Sequence, residues 1–279
     1  MTGKVKGNYT ILFLYSVIFI LLLTPSTILA KPSENSYLII ADNHSAPNYR
    51  QLNFKLFDAC KKGKIKLITK LLKQGASVKA RNRFGNTALF YAARSGSIDA
   101  VKILLKYDSD INQQNLRGRT VLVDSLYRKK FAVVKFLIEN GADVTINPFT
   151  WVDSAQNSSA VAVASFHNNI EIVEMLLKKG ADADVVDNTK KSAILYAAAN
   201  GSAEIVDLLI RYGVDINKKY KNDLTPLMWA AGYGKLDIVK MLVNHGAKLN
   251  VKDNRGYDAL TIAKMNDHQE VVKFLEQKK

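Results

Sequence analysis

The residue types that most often carry catalysis or bind metals are few in this 279-residue sequence, and they are scattered. The chain contains one cysteine, Cys60, and four histidines, His44, His167, His245 and His268. These residues do not stand at metal-ligand spacing, and no serine lies in a nucleophile-elbow motif. The sequence therefore predicts no catalytic, metal-binding or cofactor-binding site.

The carboxylates offer no alternative chemistry. They stand at the outer positions of segments with helical apolar spacing, where we expect solvation rather than acid–base pairing. These residues are Asp99, Glu171, Glu174, Glu204, Asp207 and Asp237. Positive charge is in excess, since 40 Lys and Arg against 25 Asp and Glu give a formal charge of +15. This excess favours an anionic partner or surface, or serves solubility alone.

One stretch, residues 225–251, shows how the rest of the chain is built. Thr225 can cap a helix N-terminus through its hydroxyl, and Pro226 suits the first helical position. A short apolar helix follows, glycines interrupt it, and apolar residues then recur at helical spacing. Gly246 is expected to end the second helix in the left-handed conformation. Two such helices cannot bury both apolar faces alone, so the unit needs neighbouring copies.

Copies of this unit are present in register. Six helix-ending positions and six N-cap positions recur with the same successive differences of 33, 33, 39, 33 and 33 residues. The helix-ending positions are Gly75, Asp108, Gly141, Gly180, Gly213 and Gly246, and the N-cap positions are Thr87, Thr120, Ser159, Ser192, Thr225 and Asp258. Helix-ending positions and N-cap positions that recur with the same period indicate a repeat architecture.

The pattern closely resembles the ankyrin-repeat family from about Gln51 to the C-terminus. The TPL motif at 225–227, the Ala pair at 230–231 and the GAD motif at 141–143 carry the resemblance. It implies an all-α solenoid of about seven helix–turn–helix repeats, caps included, over residues 51–279. It also implies β-hairpin finger loops between successive repeats.

Two departures from the family pattern bear on packing. The family's histidine after TPL is absent, so we expect neighbouring repeats to cohere through apolar stacking. The residues in that position are Phe90, Val123, Ala162, Leu195, Met228 and Thr261. The first repeat carries many lysines, which we interpret as the polar outer face of an end repeat. Cys60 falls where the repeat places a small buried residue, so we expect an inert thiol.

The resemblance also implies where a partner binds, because members of the family usually use the fingers and the exposed ends of the first helices. Arginine and aromatic residues, which concentrate binding energy, are frequent at these positions. The predicted protein-binding residues there are Arg83, Phe84, Arg94, Arg117, Arg119, Tyr127, Arg128, Phe166, Tyr233, Arg255 and Tyr257. We expect the arginines of the N-terminal half to form a positive groove for an acidic protein surface.

The third repeat is the least regular, and the only insertion follows it. The connection 145–157 holds six residues more than its counterparts. Phe149 and Trp151 within it have no evident place in the core, and aromatics on a projecting finger are typical binding anchors. The alternative is that this finger folds back and buries both rings. The sequence leaves the two interpretations open.

The N-terminus indicates export. Residues 1–30 have the features of a secretory signal peptide: two lysines, an apolar run at 11–23 shorter than a bilayer span, and Ala30 at the expected cleavage site. An uncleaved anchor over residues 9–29 is the alternative. In both cases the repeats are expected outside the cytoplasm, either periplasmic or secreted, after a polar linker at 31–50.

Two functions fit this sequence, and neither is catalytic. The first is a protein-binding scaffold or adaptor, and the second is an inhibitor or immunity-type protein that occludes an exported enzyme. Nucleic acid is a poor fit, because the aromatic residues are not spaced as a stacking platform. We expect a monomer that contacts a membrane only through residues 9–29, and only if the signal peptide is retained.

Overall fold

The computed structural model describes residues 47–148 and 158–278, all of which belong to the second of two units, Tyr37–Lys279. Within these ranges the backbone forms fourteen α-helices and no β-strand. The first helices of the repeats are α1 (Pro47–Lys61), α3 (Ala88–Ser95), α5 (Val121–Tyr127), α7 (Ala160–Phe166), α9 (Ala193–Asn200), α11 (Pro226–Gly232) and α13 (Ala259–Met265). The second helices are α2 (Ile65–Lys73), α4 (Ile98–Lys106), α6 (Phe131–Glu139), α8 (Ile170–Lys178), α10 (Ala203–Arg211), α12 (Leu236–Asn244) and α14 (Gln269–Glu276). A single 3₁₀ turn, Lys221–Asp223, lies between α10 and α11.

The helices form seven pairs, which confirms the predicted all-α repeat fold. From the second repeat onward, each first helix begins directly after the expected N-cap residue. The side-chain oxygen accepts a hydrogen bond from a backbone N–H three residues on at Thr120, Ser159, Thr225 and Asp258. These bonds satisfy one of the amides that every helix start leaves unpaired.

The expected helix ends are also confirmed. All six predicted positions have positive φ, from 61° at Asp108 to 95° at Gly75. Only glycine adopts this conformation without a steric penalty, and aspartate tolerates it better than most other residues. Lys129 also has a positive φ, 55°, at the turn between the two helices of the third repeat, where four of the other repeats have glycine.

Apolar stacking joins the repeats. Each first helix packs against its own second helix and against the first helices of neighbouring repeats. The buried side chains form one continuous cluster from Leu56 to Leu275. The position that lacks the family's histidine is buried and apolar at Phe90, Val123, Ala162, Leu195 and Met228. This agrees with the expectation that apolar contacts replace the missing polar link.

The expected β-hairpin fingers are not present as strands in the described residues. Four fingers instead fold around a buried Asn or Asp whose Oδ1 accepts hydrogen bonds from the backbone N–H groups two and four residues later. These residues are Asn82, Asn115, Asp187 and Asp253. We number each finger by the repeat that follows it, so the second and third fingers are residues 81–86 and 114–119. A single backbone bond joins their tips, from Leu116 N to Phe84 O at 3.0 Å. One such bond is too few for a sheet ladder.

The start of the array also differs from the expectation. Helix α1 begins at Pro47, within the last four residues of the segment 31–50 that is predicted as a linker. Phe54 stands where the other repeats have an N-cap residue, and its half-buried ring packs against the core. Because Phe54 cannot cap a helix, α1 continues past it toward the N-terminus.

Several predictions fall outside the described residues. These are the signal peptide at 1–30, the anchor at 9–29, most of the linker, and the insert residues Phe149 and Trp151. Among the helices of 47–148 and 158–278, none combines the length and the apolar character needed to cross a bilayer.

The buried finger residues generate a stability prediction. Asn115→Ala removes the acceptor for Arg117 N and Arg119 N, together with the bond from Asn115 Nδ2 to Asn86 at 3.0 Å. We expect a loss of roughly 2–3 kcal/mol in the free energy of unfolding, because buried donors lose their partners. Urea denaturation measures it. The matched control is Asn254→Ala on the exposed tip of the last finger, and equal effects of the two variants would contradict this role.

Candidate binding surface

The tips of the second and third fingers bring four side chains together. Phe84 is 50% exposed, and the Arg83 guanidinium lies 4.8 Å from its ring centroid. The backbone bond between the two fingers places Leu116 and Arg117 beside them. Leu116 is 68% exposed, the largest exposed fraction given for a large apolar residue in the described ranges. We call Arg83, Phe84, Leu116 and Arg117 the fingertip cluster.

Leu116 was missed from the sequence, although a signal for it exists. It stands four residues before the N-cap Thr120, the register that Arg83 holds before Thr87. The two fingers therefore each carry one arginine and one apolar residue, in opposite order: Arg83–Phe84 and Leu116–Arg117. An apolar residue at this register has no helix to pack in, which indicates exposure at the fingertip.

The two fingers that carry the fingertip cluster contain arginines but no carboxylate. The sequence contains no Asp or Glu between Asp58 and Asp99, and none between Asp110 and Asp124. Both fingers, at 81–86 and 114–119, fall inside these gaps. Neither finger therefore supplies a carboxylate of its own to Arg83 or Arg117, and the positive groove stays a prediction.

Two of the predicted arginines are engaged in a structural ion-pair group instead. The Arg94 Nε donates to Asp124 Oδ2 at 2.8 Å and its Nη2 donates to Oδ1 at 3.0 Å, while the Arg128 Nε donates to Oδ2 at 3.0 Å. Asp124 is 4% exposed. One buried carboxylate of the third repeat thus holds both arginines, Arg94 from the second repeat and Arg128 from its own repeat, and their contact with a partner stays a prediction.

This group, the Asp124 triad, has a clear electrostatic balance. Burial raises the pKa of Asp124, but the hydrogen bonds and charges of Arg94 and Arg128 outweigh it, and the pKa lies below its ordinary value. The carboxylate is therefore ionised and bridges the second and third repeats. The Arg94 side chain is only 23% exposed, whereas that of Arg128 is 48% exposed and still offers part of its surface to solvent.

Arg119 and Tyr127 also order the scaffold. The Arg119 guanidinium lies 3.9 Å from the Tyr127 ring centroid, and both side chains are half-buried. The Tyr127 hydroxyl accepts a hydrogen bond from the backbone N–H of Ser158 at 3.3 Å. These contacts tie the third repeat to the start of the fourth, so the two residues are less available to a partner than predicted.

Four aromatic rings lie within or directly after the first helices of repeats four to six. Phe166 and Tyr233 are 55% and 54% exposed, as predicted for partner-binding positions. The Phe166 ring meets Tyr196 edge-on at 5.8 Å, and the Tyr233 ring lies 5.8 Å from that of Trp229. Lys191 Nζ lies 5.9 Å and 5.4 Å from the Tyr196 and Trp229 rings. We call these four aromatic residues the aromatic strip.

The last finger contributes little net positive charge. Arg255 donates through Nε and Nη2 to Asp253 Oδ2 at 3.0 Å and 2.7 Å, and its guanidinium lies 5.0 Å from the Tyr257 ring centroid. The Asp253 side chain is buried, which raises its pKa, but hydrogen bonds from Tyr257 and Arg255 hold that pKa below its ordinary value. Arg255 is thus neutralised by its own finger, and Tyr257 supports it.

Reactive groups are not assembled in the described part of the chain. No group of three or more His, Cys, Asp or Glu residues within it could hold a metal ion. Cys60 is fully buried, as predicted, and burial raises the pKa of its thiol to about 12. The thiolate is therefore scarce at neutral pH.

A comparison with protein families agrees with this architecture. A family model described as ankyrin repeats (3 copies) matches residues 56–148, 150–220 and 194–279, which is most of the chain. The sequence matches no curated protein significantly.

The Asp124 triad generates a pH-dependent prediction. Arg94→Ala should cost roughly 2–3 kcal/mol at pH 7, because it leaves a buried carboxylate with one exposed partner. The pKa of Asp124 is lowered on folding, so its contribution is fully present above the unfolded value of about 3.9 and is lost as pH falls through the folded value. The stability gap between wild type and variant should therefore narrow in acid, as measured by urea unfolding between about pH 6 and pH 2.5.

Arg128→Ala is the matched control for this prediction. Its side chain is half-exposed and donates one bond, so we expect a loss below roughly 1 kcal/mol. Equal losses for the two arginine variants, or a gap that stays constant with pH, would contradict the assignment.

Proposed function

From the premise that the chain belongs to the ankyrin-repeat family, we infer that its fingertip cluster binds an acidic surface of a protein partner. The family supports a protein–protein interaction module in general. The fingertip cluster supports the choice of partner, because two exposed apolar side chains lie between two arginines on fingers without carboxylates. We propose no catalytic role for the chain.

The four side chains of the cluster are proposed to contribute to binding in two ways, through apolar burial and through charge. Phe84 and Leu116 supply apolar area that becomes buried on contact, and this is the main source of affinity. Arg83 and Arg117 flank them and favour acidic partners through charge complementarity, which chiefly raises the association rate. Aromatic and arginine side chains at the centre of a contact are typical of interface hot spots.

The aromatic strip extends the proposed surface along the array. Phe166 and Tyr233 expose about half of their area, and Lys191 adds positive charge between them. We expect a partner that spans several repeats to contact both the fingertip cluster and this strip. The chain is proposed to act as a monomer, since both end repeats present charged outer faces instead of open apolar ones.

The proposed place of action is outside the cytoplasm. The two early lysines, the apolar run at 11–23 and Ala30 support a cleaved signal peptide. N-terminal sequencing of the mature protein from its host is the test, and we expect the chain to start at Lys31. A chain that retains residues 9–29 in the membrane fraction would favour the anchored alternative.

The binding prediction concerns the partner that co-purifies with the full chain. Phe84→Ala and Leu116→Ala should each weaken its affinity by about tenfold or more, because each removes an apolar anchor. Arg83→Glu with Arg117→Glu should slow association and reduce the dependence of the rate on salt. Titration calorimetry and stopped-flow mixing measure the two effects.

Tyr212→Ala is the matched control, since this ring is 43% exposed at the end of a second helix in the fifth repeat. Its affinity for the partner should remain that of the wild type. Unchanged affinity in both fingertip variants would refute the proposed surface. If the partner is an enzyme that loses activity on binding, the inhibitor function is favoured over the adaptor.

A further inference from the structure

The first repeat carries more positive charge than any other part of the array. Residues 49–80 contain nine Lys and Arg residues and a single acidic residue, Asp58, which gives a formal charge of +8. Asp58 is already paired with Lys62 at 2.7 Å. The other eight cations are exposed, and they are Arg50, Lys55, Lys61, Lys64, Lys66, Lys70, Lys73 and Lys79.

The opposite end of the array shows that capping does not require this charge. The last repeat also lacks a neighbour on one side and needs a polar outer face. Residues 252–278 meet that need with five Lys and Arg and five Asp and Glu, including an ion pair between Lys264 and Glu276 at 2.7 Å. A charge of +8 repels itself and disfavours the compact state, so solubility alone does not account for it.

The kind of cation differs between the two basic surfaces. Eight of the nine cations of the first repeat are lysines. Five of the seven cations at residues 81–119 are instead arginines: Arg81, Arg83, Arg94, Arg117 and Arg119. Arginine suits bidentate recognition of a fixed carboxylate or phosphate, while lysine is a mobile point charge on a flexible stem. A lysine-rich surface therefore fits an anionic surface without fixed geometry.

Two exposed apolar side chains border a row of lysines on the first repeat. Lys66, Lys70 and Lys73 recur at i, i+4 and i+7 on α2, so they share one side of that helix. Leu67 on the same helix is 37% exposed, and Tyr49, whose ring lies against Gly75 at the end of α2, is 44% exposed. We call these five residues, Lys66, Lys70, Lys73, Leu67 and Tyr49, the lysine face.

We propose that the lysine face docks on a bilayer that contains anionic phospholipids. Lysines would lie among the phosphates, and Leu67 and Tyr49 would enter the interfacial region, where apolar and tyrosine side chains are favoured. The first repeat is also the one nearest in sequence to the apolar run at 11–23, with Pro47 only 24 residues after Leu23. If the apolar run is retained, a polybasic face strengthens its attachment to the membrane. If the run is removed, the face alone gives reversible, salt-sensitive membrane binding.

The docking surface is separate from the proposed partner site. It shares no residue with the fingertip cluster or the aromatic strip, so loss of one activity does not imply loss of the other. The proposal therefore stands or falls independently of the proposed function.

The test is flotation of the full chain with vesicles of phosphatidylcholine, with and without phosphatidylglycerol. Any contribution of the apolar N-terminal run is common to both compositions, so the difference between them reports the charge-dependent part. We expect stronger binding to the anionic vesicles and a decline with added salt. Each lysine near an anionic surface contributes about a fivefold gain in affinity, so Lys66→Gln, Lys70→Gln and Lys73→Gln together should weaken the anionic preference about a hundredfold.

The matched control is a triple variant with the same loss of net charge elsewhere: Lys179→Gln, Lys240→Gln and Lys248→Gln, all exposed. It should keep the anionic preference, and thermal unfolding should show that both triple variants remain folded. Equal binding to the two vesicle types, or equal losses in the two variants, overturns the proposal. A short single-stranded oligonucleotide is also added as a competitor. If it releases the chain from the vesicles at a phosphate concentration below that of the lipid, the lysine face is assigned to nucleic acid and the proposal is overturned.

Discussion

The stacking of neighbouring repeats is the constraint on which every other feature of this array depends. A pair of helices with seven to nine residues each, as in most repeats here, cannot bury its apolar residues alone. The buried cluster therefore runs unbroken from Leu56 to Leu275 and passes through every repeat. Positions such as Phe90, Leu195 and Met228 are buried between repeats and have little freedom to vary. Differences between repeats are consequently concentrated at fingertips and at the ends of the first helices, which is where a partner can reach them.

The third repeat shows how one departure inside the scaffold changes the surface. Asp124 occupies the position that Tyr91, Tyr196 and Trp229 hold in other repeats, four residues after the N-cap. A buried carboxylate without partners is costly, so Arg94 and Arg128 are recruited to it. Positive charge that the sequence offers for binding is thereby used for cohesion. The two fingers that carry Arg83 and Arg117 contain no carboxylate of their own.

Local signals made most of the fold predictable from the sequence. N-caps such as Thr225 and helix ends such as Gly246 depend on a few adjacent residues, and a common period confirms each of them. The role of Arg94 was not predictable in this way, because its partner Asp124 lies 30 residues away in another repeat. Leu116 was overlooked because residue type alone does not show that a finger has no core to receive it. In the fingers that the structure describes, side-chain hydrogen bonds to the backbone compete with a strand ladder, which accounts for the lack of strands there.

A net charge of +15 is compatible with one broad basic surface, but the structure divides it into two surfaces with different physics. At the fingertips, Arg83 and Arg117 flank apolar side chains. The free energy gained by burying those side chains is not screened by salt. On the first repeat, lysines outnumber apolar groups, and their attraction for an anionic surface falls steeply as the Debye length shortens. Salt therefore acts unequally on the two surfaces, since it weakens the lysine face far more than the fingertip cluster. The two proposals together imply an array that holds a protein partner through contact geometry, while its attachment to an anionic surface is adjusted by ionic strength.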